Sequence, residues 1–166
     1  MVSSRHAGCD ASTSTTGNPG YKSWSGGSNG HGAQTADDGT SGGGGGGFCS
    51  SGRSGKDFNG TIGNGGEGGK GFLQEGVGGR AVLNNVDGGF GGGGGGEGTV
   101  AGGGGGGYSG GSSGSDHANS CGGGGESYNN GTNQQNDCCF NTAGHGHVAI
   151  TFLLKTELRS APYTGN

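Results

Sequence analysis

The sequence predicts a glycine-rich bundle of extended, left-handed threefold helices of the polyglycine-II type, with a small β portion and essentially no α-helix. Three observations predict it. Glycine supplies 52 of 166 residues, close to a third against a usual share of about 7%. It is concentrated in four uninterrupted runs, three of them of equal length, from Gly42 to Gly47, Gly91 to Gly96, Gly102 to Gly107, and a shorter one from Gly122 to Gly125. Aromatic residues punctuate the runs, with Phe48 and Tyr108 closing two of them and Phe90 opening a third.

Six consecutive glycines ordinarily make a flexible linker. Ordering each residue costs about 1–2 kcal/mol of backbone entropy, and glycine is at the expensive end of that range. An ordered run must therefore recover hydrogen bonds along its whole length. A threefold extended helix makes no internal hydrogen bonds, so every N–H and C=O points outward toward a neighbour. Bare backbones also approach closely enough for Cα–H···O contacts of about 0.5–1 kcal/mol each. At about 3.1 Å per residue a six-glycine run spans about 19 Å, and three equal runs match end to end. In the segment from Asn64 to Gly71 a Gly-Gly-X pattern places Glu67 and Lys70 on one row and leaves two rows bare, as an outer helix requires. On this reading Gly93→Val or Gly104→Val unfolds the bundle and Glu67→Ala barely matters.

The remaining segments follow in order. Residues 1–41 form a polar, turn-rich lead-in, with a turn at Asn18-Pro19-Gly20 and the only tryptophan, Trp24. Residues 42–125 form the bundle. Residues 126–154 are a polar connection and a closing β-strand, in which Val148, Ile150 and Phe152 alternate onto one face. Residues 155–166 read as a tail. No window carries a helical period.

Composition excludes several classes. Leu, Ile, Val and Phe number only 19, too few for a conventional core. The net charge is only −4 and its charges are scattered, so the full signature of disorder is missing and no basic patch is present for nucleic acid. Two prolines and no triplet period exclude collagen. No stretch approaches a membrane span, and no apolar leader opens the chain, which is expected if the sequence is a piece of a longer protein.

Chemistry-bearing motifs are weak. Gly63-Asn-Gly-Gly-Glu-Gly68 matches a dinucleotide fingerprint, but no strand precedes it and chance explains it in this composition. Lys70 is followed by Gly71, so no phosphate loop is present. His145 and His147 lack a third metal ligand nearby. Nothing resembles a nucleophile elbow. The expectation is no enzyme, no cofactor and no metal. The five cysteines, Cys9, Cys49, Cys121, Cys138 and Cys139, do not form zinc spacings. Disulfides in an oxidising compartment fit a loop-rich chain better than five reduced thiols, with the connectivity left open. Sequons at Asn59 and Asn130 are compatible with that compartment.

One order of elements is distinctive: Gly69-Lys-Gly-Phe-Leu-Gln-Glu-Gly76, then Gly88-Gly-Phe90 with its glycine run, then the Gly102 run with Tyr108-Ser-Gly-Gly111. The Gly122-Gly-Gly-Gly-Glu-Ser-Tyr and Gly144-His-Gly-His-Val-Ala-Ile-Thr151 segments close the series. Over residues 42–152 this resembles the glycine-rich extracellular domain of the anaplastic lymphoma kinase and leukocyte tyrosine kinase receptors, and free-standing glycine-rich proteins of the same type. The resemblance implies a polyglycine-type bundle beside a β-rich portion, outside the cell, in a region that takes part in binding protein cytokines. It departs from the receptors in lacking the preceding β-rich sequence and any following membrane span or kinase, and no ligand-contact residue carries over. Two functions are expected: an extracellular scaffold that recognises a protein partner, or a self-assembling subunit of an extracellular filament or coat. An ice-binding face is disfavoured because regular Thr or Ala rows are not evident.

Overall fold

The chain's computed structural model describes residues 9–58, 64–83, 85–96, 100–118 and 120–135. The closing strand around Val148, Ile150 and Phe152, the pair His145 and His147, the cysteines Cys138 and Cys139, and the sequon residue Asn59 lie outside the described residues. Among the described residues there is no α-helix. The one regular element is a 3-10 turn, Phe72–Gln74. Pairing of β type is confined to isolated bridges, Ser12 with Glu126, Thr16 with Ser28, Ala101 with Ser120 and Ser109 with Glu126.

What holds the molecule together is backbone bonded to backbone across segments distant in sequence. The centre is the run 42–47, which is buried throughout. Each of Gly43 to Gly47 donates one hydrogen bond and accepts another, and the partner segments repeat every third residue. Gly43 and Gly46 donate to the carbonyls of Gly95 and Gly92; Gly44 and Gly47 donate to Arg53 and Ser50; Gly45 and Phe48 donate to Gly111 and Tyr108. In each of these pairs the partner numbers fall as the donor numbers rise, so the neighbours run antiparallel. The carbonyls of Ser41, Gly44 and Gly47 accept from Gly66, Gly69 and Phe72, and those of Gly43 and Gly46 from Gly104 and Gly107. Here the numbers rise together, so these two neighbours run parallel. The sixth segment is the one around Ala33, whose N–H reaches the Gly45 carbonyl at 2.9 Å. One glycine run thus has bonded neighbours on six sides, an arrangement open only to a chain without side chains.

The network extends into the lead-in. Asn18 and Tyr21 donate to Gly124 and Cys121, while their own carbonyls accept from Ser112 and Ser115, again three residues apart. Apolar side chains contribute little to this interior. Among the described residues the buried hydrophobic ones are Ala33 and Ala101, whereas Thr35, Ser41, Ser109, Ser112, Ser113, Ser115, Ser120 and Glu126 are all buried. Serine enters where a small side chain fits and can return a hydroxyl to the backbone. Ser112 Oγ donates to the Gln34 carbonyl at 2.9 Å, Ser109 Oγ to the Thr15 carbonyl at 2.8 Å, and Ser54 Oγ accepts from Gly68 N–H at 3.1 Å. A buried hydroxyl satisfied in this way avoids a desolvation penalty of about 1–3 kcal/mol.

The Gly-Gly-X segment lies at the rim. Gly65, Gly66, Gly68, Gly69 and Gly71 are buried, whereas Glu67 is half-buried and Lys70 exposed. Lys70 Nζ is 3.5 Å from Glu67 Oε1, and Arg80 Nε is 2.7 Å from Glu67 Oε2. The hydrogen bond from the Arg80 side chain holds the Glu67 carboxyl below its ordinary range near pH 4.5. A folded pKa below the unfolded one means that the pair stabilises the fold above that range and ceases to do so as pH falls through the lowered value. Arg80 is exposed, so the contribution is small. Glu67→Ala is expected to leave the melting temperature within about 2 °C of the parent at pH 7 and to abolish even that difference at pH 2. A difference that grows on acidification contradicts the assignment.

Candidate interaction surface

The parallel runs finish together at one end of the bundle, and each is followed by an aromatic residue. Phe48 follows the run 42–47, Phe72 follows the segment ending at Gly71, Tyr108 follows 102–107, and Tyr128 comes shortly after 122–125. The chain direction shared by these segments brings the rings into one continuous stack. Phe72 lies on Phe48 with centroids 5.4 Å apart, Phe48 on Tyr108 at 6.5 Å, and Tyr108 on Tyr128 at 4.7 Å. Aromatic punctuation, visible in the sequence, is therefore the device that closes this end of the backbone network.

Among the described residues nothing covers the stack. Phe72 is 65% exposed, Leu73 62% and Tyr128 50%. Phe90, 93% exposed, sits in the turn before Gly92, whose carbonyl takes the Gly46 N–H, two residues before Phe48. Val77, also exposed, contributes its carbonyl to Lys70 N–H, and with Glu67, Leu73 and Arg80 it lines a shallow groove of about 550 Å³. Large contiguous apolar exposure of this kind marks interaction sites on soluble proteins. Because the rings stack on one another, their faces are largely used within the cluster. What remains to a partner is the ring edges, the outer faces of Phe72 and Tyr128, and the aliphatic flank of Leu73 and Val77. That suits an apolar protein surface better than the planar rings of a small ligand.

Cys49 stands in the same place. Its N–H donates to the Gly30 carbonyl at 2.6 Å, its carbonyl accepts from Gln74 Nε2 at 3.2 Å, and its thiol is free and exposed. The two other described cysteines, Cys9 and Cys121, form a disulfide with Cα atoms 6.0 Å apart. Asn130, the described sequon residue, is exposed.

The structure also displays a residue that composition conceals. Glu126 is 1% exposed. It accepts from Ser12 Oγ at 2.6 Å through Oε1 and from Ser14 N–H at 2.9 Å through Oε2. Its backbone bonds Tyr108 and Ser109, so it ties the lead-in, the 102–109 run and the 120–126 run at one point. The only signal in the sequence is its position, directly after a glycine run, where an exposed acid is the ordinary expectation. No cluster of three metal-ligating side chains occurs among the described residues, and none of their helices is long and apolar enough to cross a membrane.

With this geometry in place, comparison with family models, curated proteins and solved structures finds no match to the chain.

Proposed function

We propose that this chain is a non-enzymatic, extracellular glycine-rich scaffold that recognises a protein partner through its aromatic end. In this reading the runs are polyglycine-II-like threefold helices. Support comes from bonding partners that recur every third residue along 42–47 and from Gly71, whose φ of −63° and ψ of 160° lie close to the extended threefold basin. Positive φ among described glycines is confined to Gly30, Gly76, Gly91 and Gly92, so an achiral residue is held to one hand through 42–47, 102–107 and 122–125, and through the run 91–96 only from Gly93 onward. The Cys9–Cys121 disulfide fits an oxidising compartment, and the receptor-like order of elements fits the same location.

The observation that carries the reading is the exposed aromatic stack on a network that has almost no apolar interior among the described residues. A chain with so few large apolar residues gains most from burying them, yet Phe72, Leu73 and Phe90 are left in solvent. The test uses the full chain, oxidised, on a sensor surface against a panel of purified secreted proteins, cytokines included. Saturable binding is expected, with Phe72→Ser combined with Leu73→Ser weakening it at least about tenfold while the chain stays folded, its melting temperature lowered by no more than about 6 °C for the lost ring stack. Absence of saturable binding across the panel, or equal binding by the double variant, counts against it.

A second reading, self-assembly into an extracellular filament or coat, is favoured by a different observation, the unbonded backbone on one side of the bundle.

A further inference from the structure

Hydrogen bonding around the run 102–107 is lopsided. Gly104 and Gly107 donate to the central run, at Gly43 and Gly46, and Gly102 and Gly105 donate to Ser120 and Gly123. In a threefold helix the third row is the one left, Gly103 and Gly106. Among the described residues neither makes a hydrogen bond through its N–H or its carbonyl, and both are partly exposed. The adjacent parallel run repeats the pattern. Gly123 donates to Ser112, the carbonyls of Cys121 and Gly124 accept from the lead-in, and Gly122 and Gly125 are unbonded at both groups. The four residues lie side by side, since a Cβ built on Gly122 would strike the Gly103 carbonyl and one on Gly125 the Gly106 carbonyl.

We infer that this face is a self-association surface, on which a second copy of the chain seats the same glycine rows antiparallel. The inference rests on the threefold-helix reading proposed above. Three observations commit it to a second copy. Only a partner without side chains can approach backbone this closely, and this face is such a surface. Each of its residues offers both a donor and an acceptor, so it complements its own two-fold copy. The antiparallel register with a three-residue step is already used three times inside the fold, by Gly43 and Gly46, by Gly44 and Gly47, and by Gly45 and Phe48, each time with one segment donating and the other accepting. Beside the rows, Val86, Val100, Ala101 and Gly103 line a groove of about 320 Å³, so the described side chains on that flank are apolar. In the paired state the open N–H groups of each copy face open carbonyls of the other. It is the polyglycine counterpart of an exposed sheet edge.

Substituting the four glycines themselves is uninformative, because a Cβ at each meets backbone within the same chain. The test is residue-specific amide exchange by NMR on the full oxidised chain across a concentration series, paired with sedimentation. Gly43 to Gly47 are expected to be protected at every concentration, and Gly103 and Gly106 to exchange fast when dilute and to gain at least about tenfold protection as dimer forms. Val86→Glu, whose side chain is exposed on the rim, is expected to abolish the concentration-dependent protection while leaving Gly43 to Gly47 protected. Protected central glycines with Gly103 and Gly106 fast at all concentrations overturn this inference alone. Unprotected central glycines overturn the threefold-helix reading beneath it. Association that survives Val86→Glu but is lost in Cys49→Ser or in Phe72→Ser overturns the inference in favour of the aromatic end.

Discussion

Gly45→Ala is expected to lower the melting temperature by about 6–12 °C, and Gly45→Val to prevent folding altogether. A Cβ on Gly45 would lie far closer than 3.0 Å to the Gly105 carbonyl, and the same position touches Gly106 N. In an ordinary core an added methyl is absorbed by rotamer shifts at a cost of about 1–3 kcal/mol. Here the obstacle is backbone, which has no rotamers. Relief requires the run 102–107 to move away, and that run is bonded to Gly43, Gly46, Ser120 and Gly123. Moving it breaks several bonds worth about 1 kcal/mol each, so a loss of about 3 kcal/mol or more follows, or about 2–4 °C for each kcal/mol in a chain of this size.

The same geometry supplies the control. A Cβ on Gly89 meets nothing within 4 Å, and its φ is not in the left-handed region. Gly89→Ala is expected to be neutral or slightly stabilising through the unfolded chain, by less than about 1 kcal/mol. Between these limits the structure ranks positions that look identical in sequence. A Cβ at Gly104 would run into the Gly111 carbonyl, whereas at Gly93 its nearest atom is Gly89 N at 3.0 Å. The sequence treats Gly93 and Gly104 as equivalent centres of equal runs; the expected damage is now greater at Gly104. Calorimetry on Gly45→Ala, Gly104→Ala, Gly93→Ala and Gly89→Ala checks the order. Equal, small shifts at all four would mean that the runs are linkers.

How much of this was legible beforehand depends on which atoms carry the information. The central role of glycine, the lack of α-helix and the grouping of aromatics at run ends are visible because they reside in residue identity. Glu67 and Lys70 face outward as the Gly-Gly-X spacing requires. Which run occupies the centre was not legible, because 42–47, 91–96 and 102–107 are the same six letters. What distinguishes 42–47 is the set of segments that bond to it, and a hydrogen bond between main chains leaves no mark on side-chain pattern. For the same reason the lead-in gave no sign that Asn18, Tyr21 and Ala33 join the network, since none of them sits in a glycine run. Serine carries no mark of burial in the sequence, whereas Ser109, Ser112 and Ser113 are interior residues. Glu126 was invisible because burial of an acid depends on Ser12 and Ser14, more than a hundred residues earlier. The disulfide was foreseeable as a class, but its pairing depended on that same long-range return of the lead-in.

Removing the Cys9–Cys121 disulfide, by Cys9→Ser with Cys121→Ser, is the second large effect expected. The bridge closes a loop with a sequence separation of 112, and loss of that constraint on the unfolded chain costs about 4–5 kcal/mol, or about 8–20 °C in melting temperature. The chain is unusually sensitive to it because a third of its residues are glycine, which have the most backbone entropy to lose on folding. Glu126 is the second anchor of the same segment, through Ser12 and Ser14. Glu126→Ala leaves those two donors unpaired and is expected to cost about 1–3 kcal/mol. The two anchors hold one strip of chain, so their losses should not add. Once the disulfide is gone the lead-in is partly released, and Glu126→Ala then removes less. A double-mutant cycle by denaturant titration is expected to show a combined loss smaller than the sum by at least about 0.5 kcal/mol. Cys49→Ser, which removes a free and exposed thiol, serves as the thiol control and should leave the curve unchanged. A strictly additive cycle would mean that the disulfide and Glu126 stabilise separate parts of the molecule, and an unchanged melting temperature without the disulfide would mean that the backbone network closes the loop unaided.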